Sequence, residues 1–164
     1  MESIYIRTMN YEDIVQTAKQ IQISYCTSYL QLMDRTYLQS LEYTYWVPIL
    51  QRSLDQEDVC LVAMHNNQIV GSAIAGRSDE ARIAMLHAIY ILPEYQNHQI
   101  GNQLYTCMED MLLAQGFSTC QLEVLTQNHR AIKFYSEHGF TCVHTFEVEE
   151  EAMLLQCDLM EKTL

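Results

Sequence analysis

The stretch from Leu86 to Leu113 constrains the fold most, because it combines an apolar strand, a sharp loop and a helix in immediate succession. Residues Leu86 to Leu92 are apolar enough for a strand buried on both faces, and Pro93 ends it because proline has no ladder donor. From Ile100 onward, apolar residues recur at three- and four-residue spacings, which predicts a helix that begins near His98. Such a helix N-terminus carries unpaired N–H groups and the positive end of the helix dipole, so the loop is predicted to bind an anion.

The loop also carries a pattern of specific residues, which reads Y-x-x-P-E-Y-Q-x-x-Q-x-G from Tyr90 to Gly101. It resembles the acyl-CoA loop of the GNAT superfamily of N-acetyltransferases, where (Arg/Gln)-x-x-Gly-x-(Gly/Ala) wraps the pyrophosphate of coenzyme A with backbone amides. Gln96 matches the first position of that loop and Gly101 the last, whereas Gln99 stands where the family usually has Gly. The resemblance implies that acetyl-CoA binds as cosubstrate to the loop residues Gln96, Asn97, His98, Gln99, Ile100, Gly101 and Asn102.

A second stretch, from Leu122 to Phe140, begins about thirty residues after the start of the first motif. It resembles the GNAT pattern N-x-x-A-x-x-x-Y-x-x-x-G-F, which the chain reproduces without a gap in Asn128, Ala131, Tyr135, Gly139 and Phe140. The resemblance implies that Asn128 contacts the cofactor and that Tyr135 lies beside the thioester sulfur as general acid for the departing thiolate. A tyrosine that merely packs one helix face is the competing interpretation, and the presence of both motifs in the family's order favours the catalytic one.

The general base is not where the resemblance would place it. In relatives of this pattern a Glu often lies eight residues before the loop proline, and here that position is Met85. His87, two residues along and on the same face by the strand period, is the nearest group with a suitable intrinsic pKa. Glu123 in the next strand is the second candidate, and a water chain to either residue is the third. The alternative for His87 is a histidine held by a core hydrogen bond.

The stretch from Tyr25 to Leu54 is rich in aromatic residues and predicts two short helices joined by a loop. In the GNAT family this region covers the acceptor pocket. Aromatic walls suit an amine through cation–π contact, so Tyr29 and Trp46 are the candidate substrate-binding residues. Aromatic residues at helical spacing also pack cores, and that interpretation stays open for both.

The remaining patterns predict the fold class. We expect an α/β (α+β) protein with a GNAT-like mixed, mostly antiparallel sheet of about seven strands, flanked by about four helices in a single domain over residues 1–164. The resemblance implies that the two central parallel strands splay apart at the cofactor site, where the pantetheine arm would add backbone bonds to Ile89 and Ile91. The other predicted strands are Ile4–Arg7, the hairpin Val59–Met64 and Ile69–Ala75 around Asn66-Asn67, Ser118–Leu125, and Thr141–Glu147 with Ala152–Leu159 around an acidic turn at Glu149–Glu151.

Charge and cysteine usage limit the partners and the compartment. The formal net charge of −12 disfavours nucleic acid and anionic membranes and would attract a cationic substrate, although an acidic surface also serves solubility alone. The six cysteines form no C-x-x-C pair and the six histidines have no zinc-binding spacing, so we expect reduced core cysteines and no metal. No apolar run reaches the length of a membrane span and no secretory leader is recognisable, which predicts a cytoplasmic protein.

The sequence therefore predicts an N-acetyltransferase that moves an acetyl group from acetyl-CoA to a primary amine, on a small molecule or a peptide. Direct attack is favoured over a covalent intermediate, because no Cys or Ser lies beside a motif-like base. A homodimer is left open. Two other classes also stay open: a non-catalytic GNAT-like module that binds acyl-CoA, and a nucleotide-binding regulatory domain that uses the same helix end.

Overall fold

The computed structural model describes residues 3–97 and 99–164. Within this part, the chain forms seven strands and five α-helices, with short 3-10 turns at Tyr11–Asp13, Tyr43–Tyr45 and Pro93–Tyr95. The predicted fold class is confirmed, with five α-helices where about four were expected. In chain order the elements are β1 (Tyr5–Thr8), α1 (Ile14–Ser28), α2 (Arg35–Ser40), α3 (Val47–Asp55), β2 (Val59–His65), β3 (Gln68–Arg77), β4 (Ile83–Ile91), α4 (Ile100–Ala114), β5 (Thr119–Leu125), α5 (His129–Glu137), β6 (Thr141–Glu150) and β7 (Met153–Thr163).

The seven strands form one sheet in the order β1-β2-β3-β4-β5-β7-β6. Only β4 and β5 run parallel, and every other described neighbour pair is antiparallel. The parallel pairing is short, because it joins Ile83 to Thr119 and ends at Leu86 with Leu122. The rest of β4 leaves β5, so a wedge opens in the middle of the sheet.

The sheet separates two apolar layers, as the alternation of side chains along β2 shows. Leu61 and Ala63 pack in the layer that contains α4 and α5, whereas Cys60 and Val62 pack in the layer that contains α1 and α3. Both faces of β2 and β3 are buried, which explains why the centres of these strands are almost entirely apolar. The exception is Ser72, whose hydroxyl donates a hydrogen bond to Gln20 Oε1 at 2.7 Å.

Two tight hairpins fix the strand registers. Asn66 and Asn67 have φ of 51° and 62°, the left-handed pair that a two-residue hairpin requires, and they lie where the sequence places a turn. The second turn consists of Glu151 and Ala152, with φ of 47° and 65°. The predicted turn at Glu149–Glu151 is therefore wrong, because β6 continues to Glu150, which pairs with Met153.

The cysteines are all free, and Cys60, Cys120 and Cys157 are buried on strands. No helix in the described part of the chain is long and apolar enough to cross a bilayer. The helix predicted to begin near His98 begins at Ile100, and His98 itself lies outside the described residues.

Candidate active site

A cavity of about 520 Å³ fills the wedge between β4 and β5. Its walls are formed by the open half of β4, the end of β5, the loop that leads into α4, and one face of α5. The C-terminal end of α1, from Thr27 to Tyr29, covers one side. The cavity therefore collects residues from both sequence motifs and from the aromatic N-terminal region.

The open edge of β4 presents backbone groups to the cavity. Leu92 N–H donates to Val70 O at 2.9 Å, so Leu92 faces β3. Because strand residues alternate, the backbone groups of Ile89 and Ile91 face the other way, into the wedge. The Gln96 side chain donates to Ile91 O at 3.3 Å and so uses one of these groups. The remaining ones are placed to pair with an extended ligand chain.

The loop before α4 turns through two left-handed residues, Asn97 with φ of 68° and Gln99 with φ of 65°. Left-handed backbone is the conformation that Gly adopts most easily, which explains why the resembling loops have Gly at the position of Gln99. Gln99 adopts it nevertheless, and its side-chain carbonyl accepts a hydrogen bond from the Asn102 amide. Ile100, Gly101 and Asn102 of the first turn of α4 line the cavity, and N–H groups at this end of a helix have no partner within the helix.

A network of polar side chains ties this loop to α5. Arg130 Nη2 donates to Asn97 Oδ1 at 3.3 Å, and His138 Nε2 lies 2.8 Å from Asn102 Oδ1. Asn128 caps α5, since its side-chain oxygen accepts from Ala131 N–H at 3.3 Å. The loop conformation is thus held from outside as well as by its own turns.

Arg130 is a functional candidate that the sequence reasoning missed. It is the only Lys or Arg among the described residues that line the cavity. Its position in the first turn of α5, two residues after the Asn128 cap, is the sequence feature from which a role in the site could have been predicted. In a protein with a net charge of −12, this guanidinium beside the α4 N-terminus makes this end of the cavity the most favourable one for an anion.

Tyr135 faces the cavity from α5. Its ring packs against Phe134 at 5.3 Å and Phe140 at 5.8 Å between centroids, which fixes the ring plane. Burial raises the pKa of Tyr135, and the nearby Tyr29 and Cys120 add to the effect. The hydroxyl therefore stays protonated at neutral pH, as a proton donor must.

Both base candidates lie at the apex of the wedge. His87 and Glu123 directly follow Leu86 and Leu122, the last residues that pair β4 with β5. Burial lowers the pKa of His87, whereas the charges of Asp58 and Glu123 raise it. The strand period that the sequence prediction counts from Met85 to His87 is interrupted at this point, because His87 is the extra residue of a β-bulge.

The bulge follows from the register of β3 and β4. Ile74 pairs with Ala88 and Ala75 with Leu86, so both Leu86 and His87 lie opposite one residue. This irregularity allows Leu86 to remain in the core while His87 borders the cavity.

The two candidate substrate residues lie in different places. Tyr29 lines the cavity, next to the hydroxyls of Tyr90 and Tyr135. Burial raises the pKa of Tyr29, and hydrogen bonding with Tyr90 lowers it. Trp46 does not line the cavity: it is 7% exposed and packs edge-on against Tyr25 at 5.4 Å in the core layer of α1 and α3. The helical spacing of the aromatic residues at Trp46 therefore reflects packing in the core.

Comparison with known proteins decides which family this arrangement represents. The model of the acetyltransferase (GNAT) family matches residues 25–140. The chain belongs to this family. It is therefore an acyltransferase of the GNAT type, and its cavity lies where both family motifs meet.

Individual relatives agree with the GNAT assignment. An uncharacterized N-acetyltransferase of Bacillus subtilis (strain 168), YuaI, is 30% identical over 139 residues, which is 83% of this chain and 79% of YuaI. A thialysine N-epsilon-acetyltransferase of Sus scrofa is 28% identical over 111 residues, or 64% of this chain and 62% of that protein. The PaiA N-acetyltransferase of Thermoplasma acidophilum, solved in complex with coenzyme A, has the same fold, with a TM-score of 0.79 and 24% identity over 99% of this chain and all of that one (100%).

The GNAT chain thus brings nearly all of its predicted site residues to one cavity. His98 lies outside the described residues and Trp46 lies in the core, while the roles of the others stay predictions. The predicted cofactor, catalytic and substrate residues that line the cavity are Ile89, Ile91, Gln96, Asn97, Gln99, Ile100, Gly101, Asn102, Asn128, Tyr135, His87, Glu123 and Tyr29.

Proposed function

We propose that this GNAT protein transfers the acetyl group of acetyl-CoA to a primary amine by direct attack, within the single domain of residues 1–164. The observation that carries the proposal is the wedge between β4 and β5. One cavity there is bordered by the open edge of a strand, the N-terminal turn of α4, a fixed tyrosine and two proton acceptors. These are the parts that an acyl transfer from a long thioester to an amine requires.

The chain's residues fit coenzyme A at three points. The amides of the Asn97–Asn102 loop and the α4 dipole suit a pyrophosphate, and Arg130 adds a cation at the same end. The backbone groups of Ile89 and Ile91 suit the amide groups of a pantetheine arm, which would continue the sheet as a strand does. The coenzyme A complex of the Thermoplasma relative supports this assignment.

At the apex, His87 is the first choice as base and Glu123 the second. The bound acetyl-CoA supplies the acetyl group as a thioester. A primary amine is largely protonated at neutral pH, with an ordinary pKa of about 10. His87 is neutral there because burial lowers its pKa, so it accepts a proton from the ammonium nitrogen. The electron pair freed on nitrogen then attacks the thioester carbonyl carbon, and His87 later releases the proton to solvent.

Tyr135 completes the reaction on the other side. As the C–S bond breaks with its electron pair on sulfur, the Tyr135 hydroxyl donates its proton to that sulfur. The new amide nitrogen gives up its extra proton and so restores the phenol. Backbone N–H groups of the open β4 edge are placed to meet the negative charge that develops on the carbonyl oxygen.

The thiols near the site support direct attack over a cysteine-linked intermediate. Cys120 is the cysteine whose charge would affect Tyr135, and it is 1% exposed. Burial raises the pKa of the Cys120 thiol to about 12, so it carries almost no thiolate at neutral pH. It also does not line the cavity. A buried, protonated thiol is a poor nucleophile.

For the acceptor we propose a small-molecule or peptide amine, met in the cytoplasm by a monomer or a homodimer. Tyr29 borders the cavity on the side of α1, and its ring packs 4.5 Å from that of Tyr25. Phenol faces attract a cationic amine, and the net charge of −12 favours such a substrate over nucleic acid or an anionic membrane. The thialysine acetyltransferase of Sus scrofa, as its name states, acts on an amine of this kind.

Calorimetry followed by an amine panel tests the proposal. We expect acetyl-CoA to bind at least tenfold more tightly than ADP, because pantetheine adds strand-like bonds in the wedge, and we expect free thiol to appear when a substrate amine is added. Equal affinities for ADP and acetyl-CoA would favour a nucleotide-binding domain. Tight acetyl-CoA binding without thiol release from polyamines, aryl amines, amino acids or peptides would favour a non-catalytic module.

A further inference from the structure

The base candidate His87 has a second carboxylate near it that does not border the cavity. Asp58 immediately precedes β2, and neither its position nor the sequence motifs mark it as part of the site. Along β2, even-numbered residues face the layer of α1 and α3, so Asp58 begins on that face. Glu123 lies on the same side of the sheet, since its neighbours Leu122 and Val124 pack in the opposite layer.

The carboxylate of Asp58 extends from β2 across the neighbouring strand. A Cβ placed at Gly76 would lie 2.5 Å from Asp58 Oδ1, 2.7 Å from Cγ and 2.9 Å from Oδ2. The carboxylate therefore occupies the space that any other residue at position 76 would need. Gly76 pairs with Met85 of β4, so Asp58 lies one strand spacing from β4.

The β-bulge lies next to this point. Ala75, the neighbour of Gly76, is the residue that both Leu86 and His87 oppose. The charge of Asp58 raises the pKa of His87, and His87 in turn lowers the pKa of Asp58, which burial raises. Asp58 and Glu123 are the two carboxylates whose charges raise the pKa of His87.

We propose that Asp58 is a positioning residue for the transfer reaction. Its carboxylate stabilises the imidazolium that forms when His87 accepts the substrate proton. Gly76 is the complementary feature, because only a residue without a side chain leaves room for the carboxylate. The inference rests on the proposed role of His87 as base. It assigns to Asp58 an effect that acts through His87 and not through contact with either substrate.

A histidine titration by NMR tests this without requiring turnover. The His87 ring signal is assigned by its loss in His87→Gln, and its pKa is compared between wild type, Asp58→Asn and the control Asp79→Asn, which removes an exposed charge from the β3–β4 connection. We expect the pKa of His87 in Asp58→Asn to lie about 0.5 to 1 below that of the wild type, since the charge of the carboxylate stabilises the imidazolium cation. Asp79→Asn should leave it unchanged. The same pKa in Asp58→Asn and wild type would overturn the proposal.

A second variant keeps the test valid if Asp58→Asn does not fold. Gly76→Ala displaces the carboxylate but keeps its charge, so it should change the pKa of His87 when Asp58 is present and have no effect in Asp58→Asn. An equal effect of Gly76→Ala in both backgrounds would contradict the proposal.

The pH profile of kcat/KM then links the titration to the reaction. Asp58→Asn should move the acid limb to lower pH by the amount that NMR reports, because the base remains neutral to lower pH. A shifted His87 pKa with an unmoved acid limb would exclude His87 as base and Asp58 as its positioning residue. A wild type that shows no turnover would refute the proposed function, while the titration would still decide whether Asp58 acts on His87.

Discussion

Replacing Gln99 with Gly separates loop strain from loop function. Gln99 has φ of 65° and ψ of 8°. For a residue with a side chain, this conformation costs about 1–2 kcal/mol, which Gly would recover. Gly also makes the unfolded chain more flexible, which offsets about 0.4–1 kcal/mol. We therefore expect a net stabilisation between about 0 and 1.6 kcal/mol, or a melting temperature higher by at most roughly 3–6 °C for a chain of this size.

The affinity for acetyl-CoA should change far less than the stability. The loop already has its left-handed turn, so the amides that face the cavity are in place before the ligand arrives. Calorimetry should give a Kd within about threefold of wild type, equivalent to less than about 0.7 kcal/mol. Gln99→Val is the opposite control, because a β-branched residue is poorly tolerated at positive φ. It should lower both the melting temperature and the affinity. A tenfold tighter Kd for Gln99→Gly would refute the argument, since it would mean that Gln99 distorts the binding loop.

Two further substitutions test the anion-binding end of the cavity. Arg130→Ala should weaken acetyl-CoA binding about five- to tenfold and make the binding less sensitive to salt. Lys133, an exposed cation on the same helix, does not line the cavity, so Lys133→Ala should change neither property. Equal salt dependence of binding in wild type and Arg130→Ala would contradict this prediction. Gly101→Val should weaken acetyl-CoA binding at least tenfold, as measured by calorimetry. Even a Cβ at this position would lie 3.2 Å from a Phe134 side-chain atom and 3.3 Å from one of Ile91, so the first turn of α4 must shift. An unchanged Kd would show that this turn does not hold the ligand.

Much of the fold could be predicted because the strongest signals are local. The apolar run of β4, the proline that ends it and the Asn66-Asn67 turn each depend on a few adjacent residues, and the structure has these features within a few residues of their predicted places. The Glu149–Glu151 turn was misplaced because a run of three glutamates is typical of a turn, whereas Glu150 is an edge-strand residue that pairs with Met153.

The features that were missed depend on contacts between strands. A β-bulge adds one residue to a strand, and no period in the sequence marks which one, so the bulge at His87 could not be predicted. Asp58 extends over β3 toward β4 only because β3 carries Gly76 at the intervening position. The position of Trp46 could not be predicted from composition, because an aromatic residue at helical spacing gives the same sequence pattern in a core as in a binding site.

The central claim is that Tyr135 protonates the departing thiolate, and one comparison of kcat tests it most directly. Tyr135→Phe removes a hydroxyl and keeps the ring that packs on Phe134 and Phe140. Tyr105→Phe is the matched control, because it removes a buried hydroxyl that accepts from Lys162 Nζ at 3.2 Å outside the cavity.

With acetyl-CoA and a substrate amine found in the panel, thiol release should fall about 10²- to 10⁴-fold in Tyr135→Phe, while the Kd for acetyl-CoA stays within a few-fold of wild type. Tyr105→Phe should keep its kcat and lose about 0.5–1.5 kcal/mol of stability. Equal kcat for wild type and Tyr135→Phe would contradict the account.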